Sequence, residues 1–185
     1  MNKWDKIFSI KNFAITSFCN INNELNYLND DFNIQINKTN GDVRVHPKQP
    51  IKHLYSKSHG SGTTGITWYN HHKEFYNFSK KNLKGNILEI GAGENSILNH
   101  VKKFNEINNF YCIGKNISLK KKNTKIKKIN NFFKENKILK IIKNQKIDCI
   151  LHSHLFEHIY NPKKFFNFLY KISNINCKHI ISVPD

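Results

Sequence analysis

Residues 87–97 read ILEIGAGENSI, in which an apolar run containing Glu89 leads into Gly91, Ala92 and Gly93. The pattern is typical of a buried strand that runs into a tight turn and then a helix. Glycine has no Cβ, so its backbone approaches a ligand at positions where any other residue would clash. We therefore interpret this stretch as a ligand-binding turn, although a purely structural turn would have the same pattern.

The residues around the two glycines discriminate between the two nucleotide-containing cofactors that commonly use such a turn. A dinucleotide site with the pattern G-x-G-x-x-G would place its third glycine at position 96, where the chain has Ser96. A site for S-adenosylmethionine (SAM) has an acidic residue two positions before the first glycine, and Glu89 occupies that position. Such a residue is able to anchor the turn and to lie near the ammonium group of SAM. The pattern favours SAM, and an NAD-binding oxidoreductase is the weaker alternative.

A second stretch, residues 147–169, has polar residues where another apolar strand ends. It reads IDCILHSHLFEHIYNPKKFFNFL, so that Ser153, His154, Glu157 and His158 follow the strand and an Asn-Pro pair then begins a helix. In open parallel sheets, ligands bind beyond the carboxyl ends of the strands. We expect these side chains to lie near the glycine turn.

Together the two stretches resemble motifs of the class I SAM-dependent methyltransferases. ILEIGAGENS is similar to the first motif of that family, and LFEHIYNP is similar to the segment that follows its fourth strand. The resemblance covers about residues 85–185 and implies an α/β, Rossmann-like sheet with about five of the family's seven strands. It also implies a SAM site formed by Glu89, Gly91, Ala92, Gly93, Asn95, Asn116, Ser153 and His154.

Two further segments narrow the resemblance to one group of methyltransferases. HGSGTTGITWYNHHKEFYNF (residues 59–78) and INNFFKENKI (residues 129–138) are similar to segments of methyltransferases that act on nucleotide-linked or polysaccharide sugars. Members often carry an N-terminal zinc module with C-x-x-C pairs, but this chain has a single cysteine in that region, so we expect no bound metal. The resemblance implies a small carbohydrate or nucleotide-sugar acceptor in contact with His59, Trp68, His71 and His72.

Methyl transfer to a hydroxyl group or to an acidic C–H group requires a base. The first candidate is His158, which follows the fourth strand, and the second is His154; a structural hydrogen-bonding role is the alternative for each. His154-Leu-Phe-Glu157-His158 also matches H-x-x-E-H, the inverted zinc-protease motif, whose residues must lie within a helix. A nucleic-acid methyltransferase is disfavoured, because HSHL replaces the N/D-P-P-Y motif expected after strand four.

The chain also departs from the family. Asn95 replaces the third glycine and Asn116 replaces the ribose-binding acid, and no Asp or Glu occurs between Glu106 and Glu135. The chain ends after the fifth strand, before the Tyr-Asp-Glu-His stretch of the sugar C-methyltransferases. We therefore expect an incomplete chain, with a catalytically incomplete SAM-binding fragment as the alternative function. The fifth strand would then be an open edge available for self-association.

The remaining segments are expected to form the elements that position these residues. Alternating apolar residues on both sides of Asn40-Gly41 predict a β-hairpin, and residues 1–60 are interpreted as a small β-rich region. Residues 61–84 are interpreted as a linker and a helix, and residues 85–185 as the SAM-binding domain. Its strands are predicted at about 86–91, 109–114, 125–130, 147–152 and 178–183, with helical stretches between them, which indicates a parallel sheet.

The formal charge of the 185-residue chain is +17, but only one of its 30 basic residues is arginine. Arginine is the preferred side chain for phosphate and base recognition, so no nucleic-acid partner is expected. Four cysteines without a C-x-x-C pair indicate free thiols, most of them buried, in a reducing compartment. The N-terminus lacks a signal-peptide pattern, and no run of 18 apolar residues occurs. We expect a soluble cytoplasmic protein without a membrane span.

Overall fold

The computed structural model of the chain describes residues 3–14, 29–46, 65–93, 96–115, 117–120 and 122–183. The chain divides into two compact units, Met1–His59 and Gly60–Asp185. Each unit has a sheet of its own, antiparallel in the first unit and parallel in the second.

The described residues of the first unit form three antiparallel strands in the order β1-β2-β3. The strands are β1 (Trp4–Ala14), β2 (Asn29–Asn37) and β3 (Val43–His46). The hairpin predicted around Asn40-Gly41 is confirmed, since β2 and β3 pair on either side of it and Gly41 has a φ of 77°. The sequence pattern does not predict β1, because irregular pairing near Lys6 and Ile10 interrupts the two-residue period by which a strand is recognised.

The second unit contains a five-stranded parallel sheet in the order β6-β5-β4-β7-β8. Its strands are β4 (Gly85–Ile90), β5 (Ile107–Gly114), β6 (Ile126–Asn130), β7 (Ile147–Ser153) and β8 (Ser173–Ser182). The predicted α/β class and parallel sheet are confirmed, and the largest difference is that β8 begins well before its predicted start. From the central β4 the chain builds outward through β5 and β6, then continues on the other side with β7 and β8. The strand order therefore changes direction between β4 and β7.

Helices cover both faces of this sheet. They are α1 (Gly65–Ser79), α2 (Glu135–Ile142) and α3 (Pro162–Ile172). Side chains that alternate along β4 separate the two faces, since Ile87 packs with Phe75 of α1, whereas Leu88 packs with residues of α2 and α3. The predicted start of α3 is confirmed, with Asn161 Oδ1 accepting a hydrogen bond from the backbone N–H of Lys164 at 2.9 Å.

The segment after the glycine turn differs from the predicted helix. Its described residues form a short 3₁₀ helix, Ile97–His100, before the chain reaches β5. The side chain of Asn99 bonds to another loop, because its Nδ2 donates to the carbonyl of Ser118 at 3.2 Å and its Oδ1 accepts from the N–H of Lys120 at 3.0 Å. An asparagine that satisfies other backbone groups in this way competes with helix formation. The described residues between Ser96 and β5 therefore form a loop with one 3₁₀ turn, and not an α-helix.

Two of the four cysteines are buried free thiols within the sheet, as predicted. They are Cys112 on β5 and Cys149 on β7. Cys177 on β8 is also free but only half-buried, and Cys19 lies outside the described residues.

A buried histidine lies among aromatic side chains on the α3 side of the sheet. His152 of β7 is 1% exposed, and its ring centroid is 5.9 Å from that of Phe165 and 4.9 Å from that of His179. Neither of its ring nitrogens has a hydrogen-bond partner among the described residues. Burial, assisted by the neighbouring His179, lowers the pKa of His152 to about 4. The folded protein therefore favours the neutral imidazole at neutral pH.

We predict that His152→Phe makes the stability of the protein less sensitive to acid. An unfolded histidine binds a proton below about pH 6.5, whereas folded His152 does so only near pH 4. The wild-type free energy of unfolding therefore falls as the pH drops between these values, by at most about 1.4 kcal/mol per pH unit. The variant lacks this loss, and phenylalanine buries no unpaired nitrogen.

Urea unfolding at pH 7, 6 and 5 measures this difference. His46→Phe, at an exposed position of β3, is the control that makes the same substitution where the side chain is not buried. Equal acid sensitivity of the wild type and His152→Phe would contradict the prediction.

Candidate functional site

The carboxyl ends of β4 and β7 lie side by side where the strand order changes direction. Glu89 of β4 pairs in register with Leu151 of β7, so the glycine turn and the segment after β7 leave the sheet at the same edge. The two segments also touch, since a Cβ added to Gly91 would lie 3.3 Å from the Leu155 side chain. In open parallel sheets the crevice at such a switch point is where ligands bind. This edge is the candidate site.

The turn after β4 is held against β5 by its backbone. The N–H groups of Gly91 and Ala92 both donate to the carbonyl of Ile113, at 2.8 and 3.0 Å. Gly91 has a φ of 81°, a conformation that favours glycine. Gly114 at the end of β5 is required as well, because a Cβ there would lie 1.9 Å from the carbonyl oxygen of Ala92. The sequence analysis missed Gly114, although a glycine that ends a predicted strand is a signal of close backbone approach.

Gly93 differs from these glycines, because it leaves space open. A Cβ added to Gly93 meets no atom of the described residues within 4 Å, and its φ lies outside the left-handed region. The fold of the described residues therefore does not require glycine at this position. The missing side chain leaves the backbone accessible to a ligand.

Glu89 anchors the turn to the sheet. Its side chain lies in the core, and the residue is 7% exposed. Oε2 accepts a hydrogen bond from the hydroxyl of Ser96, and Oε1 accepts one from the backbone N–H of Ile97 at 2.9 Å. Burial raises the pKa of Glu89 to about 7, although these hydrogen bonds favour the ionised form. The structure therefore gives Glu89 the anchoring role, and its contact with a cofactor ammonium group stays a prediction.

The end of β7 carries a serine between two histidines. Ser153 Oγ is 2.8 Å from His71 Nε2 and 3.1 Å from His154 Nδ1. His154 has a φ of 48°, which is uncommon for a residue other than glycine. Its backbone N–H donates to the carbonyl of Ser182 on β8 at 2.9 Å. The left-handed residue therefore turns the chain immediately after the strand while hydrogen bonding to β8 continues.

α1 brings three of the predicted acceptor-binding residues to this edge. The ring centroids of Trp68 and His71 are 4.9 and 4.8 Å from that of His154. His72 Nδ1 donates to the carbonyl of Trp68 at 2.7 Å. Burial lowers the pKa of both His71 and His72, and the neighbouring His154 lowers each of them further. Both side chains therefore favour the neutral imidazole.

The remaining predicted residues are placed less closely or are not described. His59, Asn95 and Asn116 lie outside the described residues, and their roles stay predictions. His158 lies in a short 3₁₀ helix, Phe156–His158, where its Nε2 is 3.9 Å from Glu157 Oε1. Its side chain is 46% exposed, and its role as a base also stays a prediction.

The zinc-protease alternative requires His154, Glu157 and His158 to lie on one helix. In the structure His154 has a left-handed backbone, and the helical residues after it form a single 3₁₀ turn. Within the described ranges, no group of three or more His, Cys, Asp or Glu side chains is arranged to hold a metal ion. The geometry therefore does not support this alternative.

The chain matches no model of a known protein family, and no curated protein matches it. A functional assignment therefore depends on the residues themselves and on their geometry. None of the described helices has the length and apolar character needed to cross a bilayer.

We predict that Glu89→Gln removes a pH dependence that the wild type has between about pH 4.5 and pH 7. A glutamate loses its proton near pH 4.5 when unfolded but near pH 7 at this buried position. The wild-type free energy of unfolding, relative to that of the variant, therefore decreases as the pH rises through this window, by at most about 1.4 kcal/mol per pH unit. The contribution of His152 has the opposite sign but is the same in both proteins, so it cancels.

Urea unfolding of both proteins between pH 5 and pH 8 measures this change. Glu106→Gln, in an exposed ion pair with Lys84, is the control that makes the same substitution outside the core. A constant difference for Glu89→Gln over the same range would show that Glu89 is not protonated on folding.

Proposed function

We propose that the chain binds SAM at the switch point and transfers its methyl group to a small carbohydrate or nucleotide-sugar acceptor. The observation that carries the proposal is the open glycine turn, fastened by a buried carboxylate directly after the central strand. The strand order supports a Rossmann-like sheet, in which this position binds the cofactor. The resemblance of ILEIGAGENS and LFEHIYNP to methyltransferase motifs supports the same cofactor, because these two segments meet at this edge.

The residues of the turn fit such a cofactor. Gly91 and Gly93 present backbone at this edge, and no atom of the described residues lies within 4 Å of a Cβ built on Gly93. Ser153 and His154 border the same edge from β7. When bound, SAM supplies a methyl group that is already activated on a sulfonium. The protein then chiefly has to align the acceptor and exclude water.

His154 is the stronger of the two proposed bases in the structure. Its Nδ1 is hydrogen-bonded to Ser153, and its ring packs edge-on against Trp68. These contacts fix the orientation of the imidazole, which a general base requires. Its left-handed backbone is a further indication, since strained residues cluster at functional sites. His158 is more exposed and lies 3.9 Å from Glu157, so it becomes the second candidate, in the reverse of the order favoured by the sequence.

The α1 side chains suit a polyhydroxylated acceptor. Trp68 offers an apolar indole ring, and His71 and His72 offer ring nitrogens that donate or accept hydrogen bonds. A mixture of one aromatic surface and a few polar atoms is typical of small-molecule sites. These residues lie against His154, so an acceptor bound here would have its hydroxyl groups near the proposed base.

We predict that Gly93→Val weakens SAM binding at least about tenfold, equivalent to about 1.4 kcal/mol, without changing stability. A Cβ at this position would lie more than 4 Å from the described atoms outside its chain neighbours, and the valine side chain would occupy the space assigned to the cofactor. Calorimetric titration with SAM and thermal unfolding measure the two effects. Thr124→Val is the matched control, because Thr124 is exposed and precedes β6, whose amino end lies at the opposite edge of the parallel sheet.

The titration tests whether SAM binds at the proposed site, and the release of product tests whether the protein transfers the methyl group. No binding at millimolar SAM, or equal affinity of the wild type and Gly93→Val, would contradict the proposed site. Release of S-adenosylhomocysteine in the presence of sugars or nucleotide sugars would support the methyltransferase. Binding without release under any of these conditions would instead support the alternative of a catalytically incomplete SAM-binding protein.

A further inference from the structure

The hydrogen bonds around Ser153 form a continuous chain of three side chains. Ser153 Oγ is 2.8 Å from His71 Nε2 and 3.1 Å from His154 Nδ1. A serine hydroxyl has one proton, so it donates to one of these nitrogens and accepts from the other. When one imidazole gains a proton, the serine hydroxyl is therefore able to pass a proton on to the other imidazole.

Aromatic neighbours hold the two imidazoles in this arrangement. His71 stacks on Phe75, with an interplanar angle of 5°, and its ring meets Trp68 edge-on. His154 also meets Trp68 edge-on. The Nδ1 atom of His72 is used by the Trp68 carbonyl, and no described hydrogen bond includes His72 in the serine-linked chain. Of the three neighbouring histidines, His71 and His154 therefore share the serine hydroxyl, and His72 does not.

Electrostatics oppose a double charge on this pair. The ring centroids of His71 and His154 are 4.8 Å apart. Burial lowers the pKa of His71 first, and His154 and then His72 lower it further. Besides His154, His72 is the titratable group among the described residues that lowers the pKa of His71. Two positive charges on rings this close repel each other, so a double charge on the pair is disfavoured.

We propose that Ser153 joins His71 and His154 into one base of two imidazoles, which removes a single proton from a hydroxyl group of the methyl acceptor. The identity of the reaction rests on the proposed function, whereas the coupling of the two histidines does not. The acceptor is accordingly an alcohol that reaches the site in its neutral form, and not an acceptor that is already ionised in solution.

The proton and electron movements balance. The acceptor hydroxyl gives its proton to His154 Nε2, while the proton on His154 Nδ1 moves to Ser153 Oγ and the serine proton moves to His71 Nε2. The oxygen lone pair of the acceptor forms the new bond to the methyl carbon, and the electron pair of the broken carbon–sulfur bond stays on sulfur. The positive charge lost at the sulfonium is recovered on His71, and His154 ends neutral as the other tautomer.

The coupling is tested first in the free protein, by NMR titration of the histidine rings. We expect His154→Gln to raise the pKa of His71, because the variant removes the charge that lowers it. We expect Ser153→Ala to change the ring ¹⁵N shifts that report the tautomers of His71 and His154. The control His46→Gln should leave the ring ¹⁵N shifts of both residues unchanged. Titration of His71 that is independent of both substitutions would overturn the proposal. Thermal unfolding verifies that each variant is folded. If Ser153→Ala does not fold, the effect of His154→Gln on the pKa of His71 alone decides whether the two histidines are coupled.

Kinetics then test the function of the coupled pair. At saturating SAM, we expect Ser153→Ala to lower kcat by about 100-fold, and Ser153→Thr, which keeps the hydroxyl, to recover most of the loss. Unchanged kcat in Ser153→Ala would overturn the two-imidazole base while leaving the methyltransferase intact. Coupled titration in a protein that fails to bind SAM would instead overturn the proposed function, and with it the acceptor assigned here.

Discussion

A buried carboxyl group connects the central strand of the larger unit to the loop that forms its candidate site. Glu89 lies inside the core, where an unpaired charge would be strongly destabilising. The cost is offset because the Ser96 hydroxyl and the Ile97 backbone N–H each donate to one of its oxygens. Both donors come after the glycine turn. The requirement to satisfy this one carboxyl group therefore fixes where the chain returns to the sheet, and with it the path of the turn.

Close backbone contacts also fix the path of the glycine turn. The turn is bonded to Ile113 of β5 on one side, and Gly91 lies against Leu155 of the β7 segment on the other. Gly114 lets β5 pass directly beneath the carbonyl of Ala92. Gly91 and Gly114 are thus required by the packing of the protein itself, whereas no described atom requires glycine at position 93. The distinction separates the residues that build the turn from the residue that leaves room beside it.

Much of this fold could be predicted from the sequence, because it depends on local patterns. Apolar runs separated by helical periodicity indicated the five strands of the parallel sheet, and alternation around Asn40-Gly41 indicated the hairpin. β1 could not be recognised, since its bulges break the alternation on which recognition depends. The α-helix expected after the turn was wrong, because the Asn99 side chain bonds to residues about twenty positions away. Such a bond leaves no periodic signal.

The candidate site was predictable as a set of residues but not as an arrangement. The resemblance to methyltransferase segments selected Ser153, His154 and His71 as separate candidates, whereas the 2.8 Å contact between Ser153 and His71 joins positions 82 residues apart. That contact depends on tertiary structure: α1 must pack on the sheet, and the chain must turn at His154. The turn at His154 also depends on β8, because the backbone N–H of His154 donates a hydrogen bond to Ser182 of that strand. The outermost strand beside β7 therefore contributes to the orientation of an imidazole at the switch point, although it carries none of the residues that the motifs select.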